Sequence, residues 1–263
     1  MLATVSKQNI HLIISLAGRD ISARYKGSAF GILWSFINPL LLLSVYGFVF
    51  SVIFKSKWQA AQEPNSNFAI ILFSGLIVHA LFAECLSRAP SLILQNPSYV
   101  KKVVFPLWIL APVLACSAFF HFLISSLVLL TGIIVITHEL HWTIIFLPLI
   151  ILPFLIMLTG ISWIFSSLGV YLRDLSQFVG IIVTIALFVS PVFYPANLAP
   201  AIIMPIIYLN PISLIVDEVR NILVFGKLPD LLPMATYYVC AILVFIAGLT
   251  WFQKTKKGFA DVI

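Results

Sequence analysis

Glu84 and Arg88 stand four residues apart in the stretch AECLSRAP, the spacing at which a carboxylate and a guanidinium meet on one helix face. Few other side chains here could do chemistry. His79 and His121 sit alone in apolar runs, with no acidic partner nearby in sequence, and Cys85, Cys116 and Cys240 lack metal-ligand spacing. Glu84 and Arg88 therefore read as a structural ion pair in preference to a proton relay, the histidines as satisfied interior residues and the cysteines as small packing groups. Arg173 and Asp174, in YLRDLSQF, are expected to anchor a tight turn at the membrane surface, with a mutual or interhelical ion pair as the plain expectation. The chain has no G-x-x-x-x-G-K-[ST] phosphate loop, no H-E-x-x-H, no G-x-S-x-G and no Cys/His ligand set. An intramembrane enzyme would also place ionisable residues inside its spans, and they are few. What remains is a chain that conducts or moves something.

The elements that position these residues follow from composition. Of 263 residues, 62% are hydrophobic and 9% charged, against roughly 25% charged in a soluble domain. A bilayer core about 30 Å thick takes about 20 apolar residues per helix, and residues 32–54, 68–87, 106–136, 143–169, 178–194 and 232–252 qualify. The expected fold is an all-α membrane protein with six transmembrane helices. Lys7, Arg19, Arg24, Lys26, Arg88, Lys101, Lys102, Arg173, Lys254, Lys256 and Lys257 fall on one side, and Lys55, Lys57, Arg220 and Lys227 on the other. Positive-inside bias then puts both termini in the cytoplasm, and the net charge of +6 is a flank effect, not a nucleic-acid signal. No cleavable signal is apparent, so the first span is expected to be its own targeting signal.

Residues 7–24 gather Lys7, Gln8, His11, Ser15, Gly18, Arg19 and Ser22 on one arc and apolar residues on the rest, with Asn9 and Asp20 as exceptions. That pattern predicts an amphipathic helix in the membrane interface, which sets residues 1–31 apart from the spanning domain at 32–263. Residues 88–106 predict a short helix and turn broken at Asn96-Pro97. Residues 195–232 hold prolines at 195, 200, 205 and 211 and apolar pieces too short or too polar to cross alone. They predict a pair of short re-entrant helices beside a water-lined pathway, because broken backbone at membrane depth needs burial or water; an external cap packed on the bundle is the alternative. No internal repeat is visible, which weighs against a single-chain secondary transporter.

Arg24, Tyr25, Lys26, Ser28, Gly31, Trp34, Pro39 and Leu40 occupy an R-Y-K-x-S-x-x-G-x-x-W-x-x-x-x-P-L pattern. Asn96, Lys101 or Lys102, Phe105 and Pro106 follow, then Leu172-Arg173-Asp174, Ser190-Pro191 with Tyr194-Pro195, and Leu209-Asn210-Pro211 before Arg220. In order and spacing this resembles the membrane subunit of type-2 ABC exporters for polysaccharide, closer to the O-antigen branch than to capsule, with teichoic-acid exporters sharing much of it. The resemblance implies a homodimer with two copies of a separate ATPase subunit, where ATP and Mg are bound. It implies no cofactor in this chain and export of a glycan on a polyprenyl pyrophosphate lipid through a channel between two permeases.

A sugar polymer presents hydroxyls and apolar ring faces, so its channel should offer aromatic platforms. Trp34, Tyr46, Phe50, Phe188, Phe193 and Tyr194 are the candidates for that path, core or interfacial-belt packing being the alternative for each. Arg24, Lys26 and Arg88 are candidates for meeting the pyrophosphate, although positive-inside topology explains them equally. Gln95, Asn96, Pro97, Ser98, Tyr99, Lys101 and Lys102, with the amphipathic helix, are the expected coupling surface for the ATPase. A drug or small-lipid exporter of the same fold, and outside the class a passive channel or structural subunit, are the competing readings.

Overall fold

The structure is a computed structural model describing residues 7–49, 68–101, 105–196 and 199–262. Phe50 and Lys102 lie outside these residues. Every regular element among the described residues is helical: α1 (Lys7–Tyr25), α2 (Trp34–Tyr46), α3 (Phe68–Arg88), α4 (Pro97–Val100), α5 (Leu110–Thr137), α6 (Leu147–Tyr171), α7 (Leu175–Val189), α8 (Met204–Leu209), α9 (Ser213–Leu223), α10 (Leu231–Thr255) and α11 (Phe259–Val262). With their flanking turns, five stretches are long and apolar enough to cross a bilayer: Gly31–Val49, Phe68–Arg88, Leu107–Thr137, Trp142–Tyr171 and Leu231–Gly258. α7 is equally apolar but has only 15 residues, about 22 Å at 1.5 Å per residue, short of the hydrocarbon thickness. It ends at Val189, and the stretch from Ser190 to Tyr194 turns away where the sequence predicts a continuing span.

α3 is the central helix. It is buried around nearly its whole circumference from Ala69 to Leu86 and packs against α2, α5, α6, α7 and α9, which is why its sequence carries no polar stripe. α6 and α10 form the most extensive helix pair. They cross at Gly160 and Gly248: a Cβ on Gly160 would stand 2.7 Å from the Phe245 Cα, and one on Gly248 would run into the Gly160 carbonyl. Only residues this small let two backbones approach so closely.

Part of the apolar side of α1, through Leu12, Ile13, Leu16 and Ala17, packs on Trp108, Ile109 and Val113 at the start of α5. Ile10 and Ile14 remain exposed at 46% and 63%, so the helix has an apolar surface left to offer. The chain then reverses through Gly27 and Gly31, whose φ of 87° and 53° lie in the left-handed region that favours glycine. At the other end of the bundle the expected pair of short helices is present as α8 and α9. α9 buries Ile215, Val216, Val219, Ile222 and Leu223 in the main core, while Tyr208 and Leu209 on α8 stay exposed.

Replacing Gly248 by valine should lower stability by about 1–3 kcal/mol, read as a lower unfolding temperature in detergent. Gly18→Ala, whose new Cβ meets nothing within 4 Å, should leave that temperature unchanged or slightly raised.

Candidate functional site

The chemistry-bearing side chains converge where α1 meets α3 and α5. The Glu84 carboxylate, with 13% side-chain exposure, accepts from Arg24 Nη1 at 2.8 Å and Arg88 Nη1 at 3.3 Å and lies 3.0 Å from His121 Nδ1. The i,i+4 pair expected from sequence is therefore present, inside a larger cluster. Arg88 turns its other nitrogen, Nη2, to both oxygens of Asp20 at 2.6 and 2.8 Å. That contact explains why Asp20 interrupts the apolar side of α1. Burial pushes the Asp20 pKa up, but the hydrogen bonds from Arg88 and the charges of Arg88 and Arg24 outweigh it, so the carboxyl is held below its ordinary value.

His121 is not the isolated residue that its neighbours in sequence suggest, because helix packing supplies Glu84 from 37 positions away. His79 is a satisfied interior residue: its Nε2 lies 3.1 Å from the Val183 carbonyl and fastens α3 to α7. Of the three cations proposed for a pyrophosphate, Arg88 is held on two sides by carboxylates. Arg24 is 45% exposed and is one of several partners of Glu84. Lys26 lies exposed in the turn after α1.

At the other end, the proline-rich break after α7 is stitched by side chains. The Ser190 hydroxyl donates to Ala186 O and accepts from Asn210 Nδ2 at 2.9 Å. Arg220, 3% exposed, donates through Nη2 to Pro191 O at 2.9 Å and through Nη1 to Asp217 at 3.1 Å. The Tyr194 hydroxyl reaches the Phe188 and Val189 carbonyls at 3.1 and 3.0 Å, closing the last turn of α7. Thr143 Oγ1 donates to Ile222 O at 2.6 Å and Tyr237 OH to Pro211 O at 2.8 Å, which pins α9 and its approach to the bundle.

The aromatic candidates do not form one patch. Trp34 stands at the α1 end of α2, in edge contact with Phe30, and Tyr46 packs on the main core. Phe188, 62% exposed, stacks on Phe193 at 5.7 Å at the far end of α7. α7 exposes Phe178, Ile181, Ile185 and Phe188, a spacing that puts them along one helix face.

The proposed coupling segment is a single helical turn. Pro97 opens α4 where the sequence suggests only a break, since proline suits the first helical position. Asn96 Nδ2 donates to Leu92 O at 2.9 Å, and Gln95 Nε2 donates to Ser91 Oγ at 3.0 Å. Tyr99 stacks on Phe105 at 4.2 Å above a core that joins α5, α6 and α10 through Leu110, Trp163 and Phe252. Gly169 lets α6 touch Pro90 directly. Pro97, Ser98 and Lys101 point outward from this seat. Arg173 and Asp174 are exposed in the turn between α6 and α7, and among the described residues neither makes an ion pair. Cys85 is buried, whereas Cys116 and Cys240 are exposed on their helices, so only the first is a core packing group. Among the described residues no three His, Cys, Asp or Glu side chains gather to hold a metal.

Residues 11–224 match the family described as ABC-2 type transporter. Two proteins of Klebsiella pneumoniae, each named O-antigen export system permease protein RfbA, are 29% identical over 254 residues, 96% of this chain and 95% of theirs. One of the same name from Myxococcus xanthus is 26% identical over 257 residues, with the same coverage.

The unequal ties of the two arginines are measurable. Arg88→Met should strip Asp20 of its cation and speed amide exchange across α1 by about tenfold, the loss of a partly buried ion pair. Arg24→Met, which leaves Glu84 with Arg88 and His121, should change that exchange by no more than about threefold.

Proposed function

The chain belongs to the ABC-2 type transporter family, and from that membership we propose that it is the permease subunit of an ATP-driven exporter moving a polyprenyl-pyrophosphate-linked polysaccharide of O-antigen type across the cytoplasmic membrane. The observation that carries this reading is the likeness, over nearly the whole chain, to permeases named for O-antigen export. In this reading residues 1–31 form the interface helix and 32–263 the exporter domain. α7, short as it is, completes six spans by local thinning of the bilayer, both termini are cytoplasmic, and residues 195–232 dip into the outer leaflet, with exposed Tyr208 and Leu209 of α8 against lipid.

Two copies of the chain face each other across α2 and α7. The exposed apolar faces of these helices support that arrangement, with Phe36, Leu40, Val45 and Phe48 on one side and the α7 stripe on the other. The seam between them is the glycan path, and the stacked Phe188 and Phe193 offer ring faces to a sugar polymer at its outer end. ATP and Mg act in two separate ATPase subunits. Their closure pushes on residues 95–102, and the rigid seat of α4 on α5, α6 and α10 passes the displacement into the spans.

The reading is tested in a strain lacking its own O-antigen permease, given this chain together with the ATPase encoded beside it. Surface display of the glycan should return, and should vanish when the ATPase cannot hydrolyse ATP. Glycan retained inside cells that hold the assembled complex would refute the assignment. Within the complex, Asn96→Glu and Lys101→Glu should each reduce export several-fold with assembly intact; full export in both variants would remove this turn from coupling.

A further inference from the structure

Asn38 is an amide inside the first apolar span, Gly31–Val49, and its side chain makes no hydrogen bond among the described residues. A bare amide facing hydrocarbon is costly, so polar residues within spans face cavities that hold water or a ligand. Pro39, the next residue, brings no N–H to the Ser35 carbonyl one turn earlier, which leaves a second polar group at the same height. Asn38, itself exposed, borders an open recess of about 630 Å³ whose walls include Arg24, Tyr25, Trp34, Glu84 and His121.

The walls are matched to a sugar carrying a phosphate. The Tyr25 ring makes an edge contact to His121 at 6.0 Å and the Trp34 ring one to Phe30 at 5.7 Å, and both line the recess, aromatic groups of the kind that pack on a pyranose face. Asn38 and Glu84 supply donors and acceptors for hydroxyls. Arg24, 45% exposed, supplies the cation, which donates to Glu84 at 2.8 Å. His121 Nδ1 lies 2.9 Å from Arg24 Nη1 and 3.0 Å from Glu84 Oε2. One ring nitrogen cannot accept from a guanidinium and donate to a carboxylate at once, so the two contacts compete. When Arg24 swings to an anion, His121 Nδ1–H is released to donate to Glu84, and Arg88 still pairs with that carboxylate.

We propose that this recess binds the glycosyl-phosphate head of the exported lipid, with the phosphate on Arg24 and the first sugar ring between Trp34 and Tyr25, hydrogen-bonded to Asn38 and Glu84. The proposal rests on the export reading above and adds to it the part of the substrate recognised at the mouth of the path.

The test uses the assembled permease and ATPase in nanodiscs of phosphatidylcholine. Binding of farnesyl diphosphate, farnesyl-diphospho-N-acetylglucosamine and phosphatidylglycerol is measured by native mass spectrometry. The sugar-bearing lipid should bind about tenfold more tightly than farnesyl diphosphate, the contribution of one or two hydrogen bonds and a stacked ring. That ratio should fall to near one in Asn38→Leu and in Trp34→Leu, while Arg24→Gln weakens both diphosphates. The ratio is its own folding control, since a misfolded variant binds neither lipid. Equal binding of the two diphosphates to the unaltered complex, or a ratio that survives in both variants, overturns the proposal. So does phosphatidylglycerol competing as well as the sugar-bearing lipid, which would make the recess a site for bulk phospholipid. If the ratio is absent while cells display the glycan, the recess fails and the export reading stands.

Discussion

Hydrocarbon supplies no hydrogen-bond partners, so every main-chain group that leaves a helix inside the bundle must find one within the protein. The end of α7 is where this constraint bears hardest. Ser190, Asn210 and Arg220 together reach the backbone and hydroxyl groups that the proline-rich turn leaves open. A guanidinium with 3% exposure would ordinarily be a liability. Here Nη2 donates to the Pro191 carbonyl and Nη1 to Asp217, and the residue anchors α9, which in turn covers α3. The short helices α8 and α9 hold their places through these polar ties as much as through the apolar face of α9.

The opposite end is organised by charge as well. α1 touches the bundle through a modest apolar patch on α5, through Asp20 and through Arg24, so its position depends on Arg88 and Glu84. Arg88 also belongs to Glu84, which stands between Arg24 and His121. Movement of α1 therefore changes the electrostatic surroundings of α3 and α5 at once. The outward turn at α4 rests on the feet of α5, α6 and α10 beside this cluster. A force applied from outside the membrane plane meets two seats there, one ionic and one packed.

Much of the architecture was legible in the chain because it depends on local pattern. Apolar runs of membrane length, the arc of polar residues in α1, the two short helices after α7 and the i,i+4 pairing of Glu84 with Arg88 all follow from spacing within one element. What escaped were the contacts between elements. Arg88 reaches Asp20 across 68 positions, His121 reaches Glu84 across 37 and Arg220 reaches Pro191 across 29, and no periodicity encodes such distances. The point where α7 stops was also missed, because hydropathy continues past Val189 although the helix does not.

The sequence by itself determined that this is a helical membrane chain, with a flanking amphipathic helix and a stretch of broken backbone near one end. Hydrophobicity and proline act on residues within a few positions of one another, so these properties need no knowledge of the fold. Only the tertiary structure decided which charges pair, which arginine is bound on both sides, and that Asn38 opens onto a recess. Those outcomes depend on where separate helices bring their side chains, and electrostatic and hydrogen-bond energies are set by distances of about 3 Å that exist only after packing.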